Sequence, residues 1–179
     1  MPRKPPVEVL ARAKQDGFDV AKLWFHGTRR RFDGFQLPKE RGIDELGPGV
    51  YLTSVKWLAN TWARERGFIV ICVVRDGPLF DLETIKSPAN IAMMRQVYIR
   101  LSLESWFGDK PKDVERRCGE YFDENFKRNS YATGNRCLSA AGYVGGFKRA
   151  SQISGQIVVF KPEDVLIVAR EGGKAYMTD

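Results

Sequence analysis

The chain contains one histidine, so any imidazole chemistry must run through His26. Gly27 follows it directly and lets a ligand approach the backbone closely. Thr28 adds a hydroxyl that both donates and accepts. A second group is Gly47-Pro48-Gly49-Val50-Tyr51-Leu52-Thr53, where two glycines and a proline lead into a short apolar run with one aromatic on it. Taken alone, this is a turn before a core strand, and a tyrosine there serves packing as readily as a ligand. A third is the stretch 54–63, which carries Trp57 and Trp62 at helical spacing. Such a pair fits a core as well as a ring-binding face. The three cysteines, Cys72, Cys118 and Cys137, form no CxxC pair, and with one histidine they make no zinc ligand set. No metal is expected.

These groups need elements to hold them. Residues 1–20 read as a leader with three prolines near its start, followed by a short helix over Val7–Gln15. Residues 23–25 form a short apolar strand running into His26, and 29–48 read as a long polar loop with Gly34, Gly42, Gly47 and Pro48. A loop of this length inside a compact domain is usually functional. Residues 49–53 are a strand. Thr53 or Ser54 is then placed to cap a helix over 55–66, which Gly67 ends. Phe68–Arg75 is the strongest strand, opening with seven consecutive apolar residues. A short strand at 79–82 precedes a helical middle over 87–106 and 112–127. A short helix at 135–141 and strands at 157–160 and 165–168 follow. Short strands around a helical middle imply an α+β domain rather than a βαβ repeat.

The chain has 179 residues, 43% hydrophobic and 28% charged, the balance of one globular domain. Aromatics at 12% argue against disorder. The longest apolar stretch is far shorter than the ~20 residues of a membrane helix, so no membrane association is expected. The N-terminus lacks the apolar segment of a secretory signal, and an odd cysteine count then reads as a reduced, cytoplasmic protein. A net charge of +7 favours acidic partners such as nucleic acid.

Together, Phe25-His26-Gly27-Thr28, the loop with Phe32 and Phe35, Gly47 to Thr53, the helix bearing Leu58 to Ala63 and the apolar strand after it resemble the catalytic core of ADP-ribosyltransferases. The likeness is to the diphtheria-toxin and poly(ADP-ribose) polymerase branch, whose signature is His, then Tyr, then usually Glu. His26 and Tyr51 match the first two, and Trp62, eleven residues after Tyr51, falls where many relatives place a second aromatic. Later, Gly142-Tyr143-Val144-Gly145-Gly146 and Gly155-Gln156-Ile157-Val158-Val159-Phe160-Lys161-Pro162 resemble the region of the third element, and Gln156 stands where the glutamate usually does. The resemblance covers about residues 22–85 and 137–168 and leaves the helical middle unmatched.

The resemblance implies an ADP-ribosyltransferase-like split β-sheet core with flanking helices, as a single catalytic domain over 21–179 with a helical insertion at about 87–130. It implies NAD as donor substrate, with His26, Tyr51 and Gln156 as catalytic residues. His26, Gly27, Thr28, Tyr51, Thr53 and Trp62 would bind NAD. Gln156 can hydrogen-bond a ribose hydroxyl but carries no charge, so transfer of a single ADP-ribose is expected rather than chain elongation. A catalytically weak NAD- or ADP-ribose-binding module stays open as the alternative. For the acceptor, Arg29, Arg30, Arg31, Arg41 and Lys148 supply cations for a phosphate backbone, and Tyr143 an aromatic for an unpaired base. This favours RNA or single-stranded DNA, with protein side chains as the other possibility. Small stand-alone members of this kind resemble bacterial toxins or phage-defence effectors, which implies a possible antitoxin partner.

Overall fold

The computed structural model describes residues 4–37, 46–64, 67–106, 112–148 and 155–172. Its centre is β3 (Phe68–Arg75), whose six residues after Phe68 are all buried. A strand covered on both faces needs no polar alternation, which is why its sequence is a continuous apolar run. It pairs antiparallel with β1 (Phe18–Thr28) on one side and β7 (Val165–Gly172) on the other. The other half of the sheet holds β2 (Val50–Thr53), β6 (Gln156–Val159), β5 (Gly145–Phe147) and β4 (Leu79–Asp81). The strand order is β4-β5-β6-β2-β1-β3-β7. The two halves meet at β1 and β2 through one residue pair, Phe25↔Thr53. Continued antiparallel pairing would set Gly27 opposite Tyr51, but the ladder stops.

Alternation along the strands separates two cores. Val158 of β6 packs with Phe80, Leu82, Met94, Phe122 and Leu138 under a helical layer. That layer is α3 (Pro88–Glu104), α4 (Val114–Arg128) and α5 (Ser130–Ala140). Ile157 and Val159 face the other way, onto Trp24, Leu52, Val70 and Cys72. The helical face also carries α1 (Val7–Gln15) and α2 (Lys56–Ala63), against Ile71 and Val73 and against Ile69 respectively. The described residues are thus mixed α+β, a seven-stranded sheet with five helices.

Val7–Gln15 and Phe68–Arg75 form the elements expected of them, and several other bounds move for local reasons. β1 runs on through His26, Gly27 and Thr28, because β3 pairs with each of them. It also starts at Phe18, so the expected boundary at residue 20 falls inside a strand. α1 packs through its buried Ala13 against Phe18 and Val168. α2 starts at Lys56 with no side-chain cap; Thr53 Oγ1 instead accepts the Val55 N–H at 3.0 Å. Its stop is Arg64 at φ 57°, ahead of Gly67. The strand expected at 79–82 ends at Asp81, whose carboxylate accepts the Glu83 N–H and turns the chain into a 3₁₀ turn at Leu82–Thr84. α5 starts at Ser130, five residues earlier than expected, because Asn129 caps it by accepting the Ala132 N–H at 2.9 Å. β5 has no counterpart in the sequence reading. No helix among the described residues is long and apolar enough to cross a membrane.

Candidate active site

Where the β1–β2 ladder stops, a side chain takes over. His26 Nδ1 donates to the Tyr51 carbonyl oxygen at 2.9 Å, across the gap between the two halves of the sheet. The carbonyl can only accept, so Nδ1 carries the proton. Burial pushes the His26 pKa below its ordinary value, outweighing the opposing pull of the Tyr51 hydrogen bond. The neutral ring therefore leaves Nε2 with a free lone pair as an acceptor. Phe32 and Phe35 hold the ring edge-to-face, at centroid distances of 5.9 and 5.1 Å. Arg170 of β7 fixes that segment, donating to the Phe32 carbonyl at 3.1 Å and standing 3.6 Å from the Asp33 carboxylate.

Tyr51 is held at its far end. Its hydroxyl donates to the Gly47 carbonyl at 2.8 Å and accepts the Leu46 N–H at 3.0 Å, while its ring packs on the helical core. Asn135 of α5 clasps the same turn, its Nδ2 donating to the carbonyls of Leu46 at 2.8 Å and Pro48 at 3.3 Å. Gly47 has φ 81°, which favours glycine, and a Cβ there would stand 2.8 Å from Tyr131 Cβ and Asn135 Nδ2.

A cavity of about 680 Å³ opens at this joint, lined by His26, Phe32, Asp33, Phe35, Gly49 and Tyr51 among others. Of the residues singled out by sequence, it brings together His26 and Tyr51. The rest are placed differently. Phe25 and Thr53 lie opposite each other and so share a face; alternation puts Gly27 and Tyr51 on it. Gln156 lies opposite Thr53 across β2–β6 and joins them. It is the diagonal neighbour of Tyr51, a spacing of roughly 7–8 Å. This is the face α2 covers. A Cβ on Gly27 would collide with the Ala59 carbonyl oxygen, so helix packing demands this glycine independently of any ligand. Thr53 is fully buried, and Trp62 sits half-buried on α2. Thr28 closes a local turn, accepting the Arg30 N–H at 3.3 Å and donating to the Arg30 carbonyl at 3.2 Å.

Of the residues expected to meet an acceptor, Arg29, Arg30, Arg31, Tyr143 and Lys148 are described. Arg29, Arg30 and Arg31 are exposed just past β1, with Arg31 over the Phe68 ring at 5.4 Å. Tyr143 packs edge-to-face on Phe80 at 5.2 Å, as part of the helical core, and is no free stacking platform. Lys148 lies over the Tyr131 ring at 4.8 Å. Arg41 lies outside the described residues. The cysteines are buried and free, and burial pushes the Cys72 thiol up and that of Cys137 to about 11, so neither is a ready nucleophile. Sequence reasoning missed Arg170 and Asn135. Neither stands in a motif, and each gains its role only through a contact more than 80 residues away.

Comparison of the chain with protein-family profiles, with curated proteins and with solved structures returns no match.

Proposed function

We propose that the protein is a mono-ADP-ribosyltransferase that uses NAD and transfers ADP-ribose to a nucleic-acid base. One observation carries the reading: the sheet parts between β1 and β2, and His26 spans the gap to Tyr51 beside a cavity of ligand size. Those two residues are two of the three catalytic residues that the resemblance implies. On this reading the adenosine side of NAD occupies the cavity, where a ribose hydroxyl donates to His26 Nε2. The nicotinamide end crosses the joint to the α2 face, toward Gly27, Tyr51, Trp62 and Gln156. There the Gly27 backbone holds the carboxamide, and Tyr51 and Trp62 bracket the ring by stacking. The Gln156 amide oxygen accepts a hydroxyl of the nicotinamide ribose.

The reaction breaks the bond between ribose C1′ and the pyridinium nitrogen. Nicotinamide leaves neutral with the bonding pair, an acceptor nitrogen or oxygen forms the new bond to C1′, and its proton passes to solvent. Catalysis of this kind is positioning plus stabilisation of a developing cation. Gln156, half-buried at the end of β6, supports the weaker, single-transfer form. It also favours one second reading, a module that binds NAD or ADP-ribose without turnover.

The test is incubation with NAD labelled in its adenylate, in the presence of separate RNA, DNA and protein pools, with nicotinamide release measured alongside. Label in a nucleic-acid pool with stoichiometric nicotinamide is expected. His26→Ala should lower it by roughly 10²–10³, with native circular dichroism. Label confined to protein replaces the acceptor. Binding without nicotinamide release leaves the module reading.

A further inference from the structure

Pro48 and Gly49 adjoin in sequence but face different cavities. Gly49 lines the one beside His26, whereas Pro48 lines a second of about 400 Å³. The same division recurs one segment earlier, where Gln36 lines the first and Leu37 the second. Consecutive Cα atoms are about 3.8 Å apart, so the two spaces share a rim at two points. The second is walled by Leu101 of α3, Ala132 and Ala140 of α5, and Phe160 after β6. Two exposed cations, Arg136 and Lys161, stand in its lining, and among the described residues no carboxylate does. Asn135 forms part of the wall; its Oδ1 is buried with no hydrogen-bond partner among the described residues.

We infer that this second cavity takes the acceptor, one unstacked base of a single-stranded nucleic acid, with Arg136 and Lys161 on the flanking phosphates. Its chemistry rests on the transfer reading above; its binding does not. An enzyme acting on a base must first have that base out of the stack and in a pocket. Apolar walls suit the faces of any base, and a volume at the low end of ligand pockets suits one base rather than a folded surface. Two cations in the lining favour a phosphate backbone. The shared rim places such a base next to the cavity assigned to the adenosine side of NAD.

The experiment measures binding of short fluorescein-labelled single-stranded RNA and DNA by anisotropy, with no NAD present. Two variants probe the cavity. Ser139→Trp fills it from α5, and the surface pair Arg136→Ala/Lys161→Ala removes its cations. Each should weaken binding at least about tenfold. The pair should also reduce the slope of log affinity against log salt by about 0.7 for each cation lost. The affinity for NAD, read by calorimetry, should not change. Should Ser139→Trp fail to fold, the charge pair decides. The inference is overturned if the wild type binds neither oligonucleotide at about 50 mM salt, or if both variants bind within about twofold of it. It is also overturned if labelled product appears in protein and Ser139→Trp does not reduce it. If oligonucleotide binding follows the variants while no nicotinamide is released, the transfer reading fails and this one stands.

Discussion

His26 is doubly informative because it is alone in the chain. Its pKa is lowered in the folded protein, chiefly by burial, so the unfolded chain binds the proton more readily. Stability is therefore present in full above the ordinary histidine value and is lost as pH falls below about 6.5 toward the folded pKa. Between about pH 7.5 and 5.5, above the carboxylate range, the melting temperature should fall for the wild type and stay nearly flat for His26→Gln. Equal slopes in the two would show that His26 does not titrate as its burial demands. Catalysis should follow the same direction, since a protonated Nε2 can no longer accept from a ribose hydroxyl. Tyr51 separates two roles. Tyr51→Phe keeps the ring but removes the hydroxyl that joins the Leu46 N–H to the Gly47 carbonyl. It should cost about 1–3 kcal/mol in urea denaturation and leave the NAD affinity within a few fold. A loss of NAD binding as large as in Tyr51→Ala would move the role from ring to hydroxyl. The sequence showed both residues through their motifs. Their hydrogen bonds were invisible there, because the Tyr51 hydroxyl reaches back to a turn and the His26 ring reaches across to a backbone carbonyl.

Among the elements, α2 has eight residues and no side-chain cap, and it carries the half-buried Trp62. A helix this short does not stand on propensity alone. Its close seat on Gly27 supplies packing, and Lys56 supplies an anchor, its ammonium 2.7 Å from the buried Glu171 carboxylate of β7. Lys56→Ala should destabilise by about 3 kcal/mol, because it removes a cation from a carboxylate with little access to water. The double variant Lys56→Met/Glu171→Leu should recover much of that loss in urea denaturation. A double variant as unstable as the single would show that the pair contributes mainly through packing. Why some elements were legible and others not follows from what decides them. Phe68–Arg75 is fixed by its own apolar run, and Val7–Gln15 by its spacing. For β1 the apolar pattern marks only residues 23–25, because Asp19, Lys22 and His26 break it, whereas the strand's length is set by β3. β5 carries Gly145 and Gly146, which strands normally avoid. They are there because a Cβ on Gly145 would strike the Val158 carbonyl, and one on Gly146 would stand 2.7 Å from Leu82 Cγ. Such constraints belong to tertiary neighbours and leave no local signal.

At the scale of the molecule, the proposed transfer would divide its work between a net charge of +7 and a neutral Gln156. The α+β class and the nature of the central strand were legible in composition and pattern, because both follow from how much apolar surface must be covered. The placement of cations was not, since charge along a chain does not say which side chains share a rim. The structure sets Arg29, Arg30 and Arg31 just past the end of β1 and Arg136 and Lys161 around the second cavity. If the cations serve the acceptor and Gln156 serves the donor, the two contributions separate in one experiment. Gln156→Glu places a charge beside the ribose, where it stabilises the developing cation and can activate water. It should raise the release of free ADP-ribose even where transfer to nucleic acid falls. Gln156→Ala should lower both by at least about tenfold, through loss of a hydrogen bond made to the transition state. Salt should act on the acceptor alone. Between about 50 and 200 mM, transfer to a nucleic acid should fall steeply as phosphate contacts give way to counterions, while hydrolysis by Gln156→Glu without acceptor should change little. Nicotinamide and labelled nucleic acid, quantified together across the salt series, report the two steps side by side. Parallel salt curves would mean that the cations grip the NAD diphosphate rather than the acceptor. A flat curve for transfer, with label in protein, would remove nucleic acid from the reaction and leave the donor chemistry in place.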